Sequence, residues 1–440
     1  MRKLKWIWFV LGLMATLCAC SMETVDRMYQ LPKRSESFYD LQASIDKAME
    51  GLEYSAPLAG ERRQSVQMAD LDGDGQQEYL VYTKGDADAP LQILIFDRQD
   101  SHYIHTDTIE SSGSSFEQVE YVQMDAKPGL EMVVGRRVSD QVLRSLSVYT
   151  FSGGQAEQLF TANYYKFLPV SLDEDSYSEL FVIRPGTTEA DRGIVELYGV
   201  ENGSVNRSVE LEMSESADKL KRILAGKLHG GEPAVYIAST TNDDAALITD
   251  VYAVVDGVLT NVTVSNESGT SVKTLRNYYV YADDIDSDGV IELPHLIGMR
   301  PVPEARLADD QYMIRWYAMT GEGGEVDKVY TYHNFVGGWY LELDSSLAYR
   351  MTAVQDGTAY SFYVWDDTGK TAQQVMTVFT FTGQDRQQQG AAADRCIIYQ
   401  TDSAVYSLSL TGKAAQYGID SQSVANAFHL IHQEWKTGET

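Results

Sequence analysis

Cysteine is scarce in this chain: three in 440 residues, two of them at positions 18 and 20. A chain cut before Cys20 keeps only Cys396 besides it, and a lone thiol forms no internal disulfide. Cys396 sits in the apolar run Arg395-Cys396-Ile397-Ile398-Tyr399 and reads as a core residue rather than a nucleophile. Long apolar runs are scarcer still. The one candidate, Trp6 to Leu17, is twelve residues long, and a bilayer-spanning helix needs about twenty. Basic charge is short, with 35 Lys and Arg against 64 Asp and Glu and a net charge of −29. That balance excludes nucleic acid, whose phosphates demand a basic footprint, and adhesion to anionic headgroups. It favours solubility and the binding of cations. Catalytic signatures are absent as well: no G-x-S-x-G, H-E-x-x-H, P-loop or dinucleotide fingerprint occurs. The pairs His102/His105 and His429/His432 come with no identifiable third metal ligand and read as exposed histidines. Acid pairs for glycoside hydrolysis cannot be singled out among so many carboxylates.

What is present begins at the N-terminus. Arg2, Lys3 and Lys5 precede the apolar run, and Leu17-Cys18-Ala19-Cys20 follows it. A charged start, a short apolar core and a small residue at the cut make a signal peptide, residues 1–19. The four-residue site resembles the bacterial lipobox. That resemblance implies lipidation of Cys20 by palmitate-type acyl chains and an extracytoplasmic protein held at the cell membrane by its lipid anchor. Polar residues 20–38 then read as anchor and tether.

In residues 39–61, Leu41, Ile45, Met49 and Leu52 are spaced by four, four and three, which predicts a packing helix over Tyr39 to Leu52. From there the chain repeats. An acidic or worn loop leads into an apolar strand, and a second strand with a Gly-containing turn follows. The loops end at Glu78, Glu131, Glu179, Ala234 and Glu292, so the period is 48 to 58 residues. Abundant Tyr (28), few helix signals and this period predict a mostly β chain, a β-propeller over residues 62–332 whose blades bury their faces on one another. The repeat fades over 333–440, which reads as a small C-terminal α+β domain or divergent closing blades. Ser421 to Trp435 reads there as a helix capped by Ser421, with Val424, Phe428, Ile431 and Trp435 as its buried stripe.

Two loops are intact. Asp70-Leu71-Asp72-Gly73-Asp74-Gly75-Gln76-Gln77-Glu78 alternates its acids so that Asp70, Asp72 and Asp74 converge as the loop curls. Gly75 permits the turn, Gln76 offers its carbonyl and Glu78 closes the shell. Asp284, Asp286, Asp288, Val290 (by its carbonyl) and Glu292 form the same set. Hard oxygen ligands in a flexible loop suit Ca²⁺. A weaker set is Ser171, Asp173, Asp175 and Glu179. An EF-hand needs an acid at position twelve, where these loops have Val81 and His295. The pattern D-x-D-x-D-G-x-x-D/E before a strand instead resembles the FG-GAP/VCBS repeats of integrin-α-type propellers. The whole layout is similar to VCBS-repeat lipoproteins of clostridia. The resemblance implies structural calcium and no catalytic residue. The first expectation for function is a membrane-anchored, calcium-stabilised propeller that binds an envelope protein or glycan. The alternatives are a glycan lyase or hydrolase on the same scaffold, or a sensory or assembly lipoprotein.

Overall fold

The structure is a computed structural model. It describes residues 36–432 apart from 86–89, 101, 139–143, 174, 189–190, 202 and 303–310. The signal segment, Cys20, most of the tether, Glu174 and Trp435 lie outside the described residues.

Strand accounts for 52% of the chain and helix for 9%, so the chain is mostly β. Helix α1, Glu36–Ala48, comes first. Its stripe works as the spacing requires: Leu41 and Ile45 are buried on Val81, Leu94 and Phe96, with Met49 and Leu52 alongside. Asp40 pins the helix, accepting from the Tyr103 N–H at 2.7 Å and meeting His102 Nδ1 at 2.8 Å.

Six antiparallel sheets follow in chain order. The first contains Val66–Ala69, Glu78–Lys84, Leu91–Gln99 and His102–Ser111, with Glu53–Tyr54 added beside Glu78–Lys84. The second is Ser115–Val122, Glu131–Arg137, Arg144–Ser152 and Gln155–Tyr164. The third is Lys166–Val170, Glu179–Arg184, Ile194–Glu201 and Ser204–Arg207, plus Leu211–Glu212. The fourth is Leu220–Lys227, Pro233–Thr241, Ala246–Val255 and Val258–Asn261. Sequence pattern explains strand position. Inner strands such as Glu179–Arg184 are buried on both faces and read as continuous apolar runs, whereas outer strands such as His102–Ser111 are largely exposed and polar. Asp256 and Gly257 both have positive φ (50° and 76°), as a two-residue type I′ hairpin needs.

The fifth sheet orders Glu292–Gly298, Tyr312–Met319, Glu325–Asn334, Trp339–Leu343 and Phe428–Leu430. The sixth orders Met351–Asp356, Ala359–Trp365, Ala372–Thr382, Ala404–Leu410 and Cys396–Gln400. Residue 333 lies within the strand Glu325–Asn334, and residues beyond it complete the fifth sheet as well as building the sixth. Two readings of this region need correction. The helix predicted over Ser421 to Trp435 stops at Asn426, is capped by Asp420 in a capping box with Ser423, and gives way to the strand Phe428–Leu430. That strand pairs with Trp339–Leu343 and satisfies its free edge, so edge pairing overrides a helical spacing of apolar residues. Cys396 is exposed, because its strand is the outer edge of the sixth sheet.

Buried clusters join each sheet to the next: first to second, second to third, third to fourth, fourth to fifth and fifth to sixth. The radial closure expected from the repeat would set the sixth sheet against the first. Among the described residues, α1 covers the far face of the first sheet through Val81, Leu94 and Phe96. On the far face of the sixth, Gly390 packs over Val405 and Ser407, and Arg395 lies over Phe379 and Phe381.

Candidate metal centres

Each acidic loop joins the first strand of its sheet, or its equivalent, to the second. A glutamate opens that second strand in four of the sheets, and all four are buried: Glu78, Glu131, Glu179 and Glu292. In each, Oε2 accepts the backbone N–H seven residues back. The donors are Leu71 at 2.6 Å, Met124 at 2.9 Å, Leu172 at 2.8 Å and Ile285 at 3.1 Å. This clasp draws the loop closed and defines equivalent positions.

Aspartates then shape the loop by turning side-chain oxygens onto the backbone. Asp70 accepts from the N–H of Gly73 (2.8 Å) and Gly75 (3.1 Å), Asp72 from Asp74 (3.2 Å), and Asp74 from Gln76 (2.7 Å). Asp284 likewise accepts from Asp288 and Gly289, both at 2.9 Å, Asp286 from Asp288 at 3.3 Å, and Asp288 from Val290 at 2.9 Å. Three carboxylates therefore converge in each loop: Asp70, Asp72 and Glu78 in one, and Asp284, Asp286 and Glu292 in the other, with oxygens within 4.8 Å of one another. The third loop brings Asp173, Asp175 and Glu179 within the same reach. Asp74 and Asp288 stand outside the trios, and Ser171 is exposed.

Burial makes these trios costly as bare anions. The Oε1 atoms of Glu78 and Glu292 are buried and meet no hydrogen-bond donor in the protein. Burial pushes the Glu78 and Glu179 carboxyls up to about 7 and that of Glu292 up to about 8, with the loop aspartates raising each further and the backbone clasp holding them down. A buried, donorless carboxylate oxygen beside two aspartates is the donor set a hard divalent cation would satisfy.

The loops touch one another along one end of the sheet series. Gly73 and Gly129 pack at backbone contact distance between the first two loops, where a Cβ on Gly129 would lie 2.2 Å from the Leu71 carbonyl oxygen. The Leu130 N–H donates to that same oxygen at 3.2 Å, and Ser178 N–H donates to the Gln123 carbonyl at 2.8 Å, linking second loop to third. Ile291 N–H donates to the Lys227 carbonyl at 3.1 Å, tying the fifth loop to the fourth sheet.

Three further charged residues bear on these loops, two of them from outside the loops. Asp97 on the third strand of the first sheet lies close enough to Asp72 and Asp74 that their charges help raise its carboxyl, behind the larger effect of burial. Lys328, on the third strand of the fifth sheet, Glu325–Asn334, forms an ion pair with Asp288 and lies 3.7 Å from Asp286. In the second loop Lys127 takes the third-aspartate position, 3.9 Å from Asp125. None was visible as a site residue from spacing, since Asp97 and Lys328 arrive from distant strands. A buried network elsewhere was also not legible: Asp250 accepts from Ser214 N–H and Oγ, Asn261 Nδ2 and Ser271 Oγ at 2.6–2.9 Å. It ties the 262–276 connection to the fourth sheet as a structural clasp. His102 and His105 pair with Asp40 and Thr108, and His429 with Glu342, and neither histidine pair falls in a cluster of three potential metal ligands among the described residues.

No family model matches the chain, and no curated protein matches it. Solved structures with a similar course are propeller-like β proteins. One is a protein from Lactobacillus plantarum, 11% identical over 73% of this chain and 86% of that one, with a TM-score of 0.30. Another is the exotype rhamnogalacturonan lyase YesX, 12% identical over 82% and 72%, with a TM-score of 0.28. A third is Chaetomium thermophilum Sqt1 bound to the N-terminus of ribosomal protein L10, 11% identical over 78% and 95%, with a TM-score of 0.29. At these scores the likeness brings neither substrate nor partner to this chain, and its fold rests on its own six sheets.

Proposed function

We propose that the chain is a calcium-stabilised, lipid-anchored binding module of the extracytoplasmic surface, built from propeller-type blades of the FG-GAP/VCBS kind. The observation that carries the calcium part is the pair of buried, donorless oxygens of Glu78 and Glu292, each set among two aspartates. Asp70, Asp72 and Glu78 would hold one ion, and Asp284, Asp286 and Glu292 another. The carbonyls of Gln76 and Val290 would add to the shells. Asp173, Asp175 and Glu179 would form a third, weaker site. The ion's part is structural. It would neutralise carboxylates at seams where one sheet's loop meets the next sheet, leaving no catalytic residue to name. Anchoring through Cys20 follows from the lipobox-like N-terminus.

The ligand we favour is a glycan. A cleft between the fifth and sixth sheets is lined by the exposed rings of Tyr278 and Tyr312 with the amides of Gln311 and Gln355, while Tyr332 and Tyr360, also in its lining, are buried in the core. Flat aromatic faces beside amide donors and acceptors suit a polar, uncharged sugar. The test is retention of the full chain on a panel of immobilised envelope glycans, with calcium and with chelator. Retention that falls on chelation and on Tyr312→Ala is expected. Cleavage of a panel glycan would point instead to the lyase or hydrolase alternative, and retention of an envelope protein alone would refute the glycan reading. For the anchor, fatty-acid labelling should disappear in Cys20→Ser, and persistent labelling would overturn it.

A further inference from the structure

The two intact loops differ in what the rest of their sheet brings to them. In the first sheet, Tyr79 pairs with Phe96, and the next residue on that strand is Asp97. In the fifth sheet, the residue paired with Glu292 is Ala318. The strands that follow, His102–Ser111 in the first sheet and Glu325–Asn334 in the fifth, then carry a β-bulge at the same place. Thr106 is skipped between the pairs Ile95–Asp107 and Phe96–His105, and Lys328 between Trp316–Val329 and Tyr317–Asp327. A bulge re-aims the extra residue's side chain. Thr106 turns its hydroxyl back to the Ile95 carbonyl at 3.3 Å. Lys328 reaches the loop, paired with Asp288 and 3.7 Å from Asp286, with its side chain only 16% exposed.

We propose that Lys328 is a built-in cation that competes with calcium for the fifth-sheet loop, so that the two intact loops bind calcium with unequal affinity, the first tightly and the fifth weakly. The proposal rests on the calcium reading above. A divalent ion held by Asp284, Asp286 and Glu292 faces an ammonium already paired to the same loop, and must displace it or tolerate the repulsion. The first loop has a neutral residue at the bulge and an additional carboxylate, Asp97, within reach. One unit charge at this range, partly screened by solvent, changes affinity by roughly tenfold. At calcium concentrations between the two affinities, the seam between the first and second sheets is filled while the fifth loop is still held by lysine. A calcium change in that window therefore acts where the fifth loop is bonded to the fourth sheet, through Ile291 N–H on Lys227 and Tyr236 Oη on the Ile291 carbonyl.

The test uses the detergent-solubilised full chain and calorimetric titration with calcium. Asp173→Asn with Asp286→Asn leaves the first loop alone, and Asp173→Asn with Asp72→Asn leaves the fifth alone. The first should bind with a Kd roughly tenfold lower or more. Adding Lys328→Met, which keeps an apolar stem at the bulge, should tighten the fifth loop by roughly tenfold, and Asp97→Asn should weaken the first. Lys328→Gln should behave as Lys328→Met does, since charge is what competes. Equal affinities, or a Lys328→Met protein that melts normally without calcium yet binds no more tightly, would overturn the inference while leaving the calcium reading standing. No calcium heat in either single-loop protein would overturn both.

Discussion

The turn before Glu78 and the turn before Glu131 have the same clasp and opposite charge chemistry. In both, the buried glutamate accepts a backbone N–H seven residues back, from Leu71 or Met124. In the first, aspartates stand at positions 70 and 74. In the second, Gln123 and Lys127 stand at the equivalent positions, and Gln123 Nε2 donates to the carbonyls of Asp125 and Lys127, both at 2.7 Å. The second loop thus closes on itself with a lysine and an amide, while the first keeps a buried Oε1 with no donor. The clasp is the structural element that the sheets share. The donorless buried oxygen is an addition that individual loops carry or lack.

Breaking the clasp in each loop sharpens that contrast most. In millimolar calcium, Glu78→Ala removes the clasp together with the proposed calcium ligand and should cost about 3 kcal/mol, whereas Glu131→Ala removes the clasp alone and should cost about 1–2 kcal/mol. Denaturant unfolding with and without calcium reads both. The calcium dependence should vanish from the first loop's share in Glu78→Ala and be untouched in Glu131→Ala.

A titrating group distant in sequence from the loops provides the control. His333 is half-buried, with its ring nitrogens shielded from solvent and its ring against Trp316, Phe335 and Tyr340, and this desolvation pushes its imidazole down to about 3. A histidine with a depressed folded-state pKa binds its proton in the unfolded chain first, from about pH 6.5 downward. Its stabilisation is therefore present above that pH and lost as pH falls, by up to about 1.4 kcal/mol per pH unit. His333→Phe should flatten the slope of stability between pH 6.5 and pH 4, and should do so equally with calcium or chelator.

The smallest effect should come from converting one loop into the other. Gln123→Asp with Lys127→Asp restores the aspartate positions of the first loop in the second. It should create a new calcium-dependent increment of about 1 kcal/mol at millimolar calcium. Calorimetry should count one additional site. A converted protein with no additional binding would show that the clasp and three acids do not suffice.

These contrasts also explain what could be read from sequence. The two nine-residue loops and the helical stripe of Leu41 and Ile45 are local patterns, and both were legible. The near-fifty period led to a series of antiparallel sheets because each unit has apolar strands at fixed offsets. Lys328 and Asp97 were not legible, because they act on the loops from later strands, and a β-bulge has no signature at Lys328 beyond one misregistered residue. Phe428 misled for a related reason. Its spacing from Val424 fits a helix, but the free edge of Trp339–Leu343 offered backbone partners that a spacing cannot reveal. Cys396 misled because an apolar run on an outer edge strand looks like one in a core.

The most direct measurement is the melting temperature of the full chain in calcium before and after a chelator is added, for the native sequence and for Asp72→Ala with Asp286→Ala. The account predicts that chelation lowers the melting temperature of the native sequence by a few degrees, that magnesium restores it poorly because it demands tighter octahedral geometry, and that the double variant loses most of the response. A native melting curve that does not move on chelation would contradict it, and would make the two loops acidic turns that bind nothing.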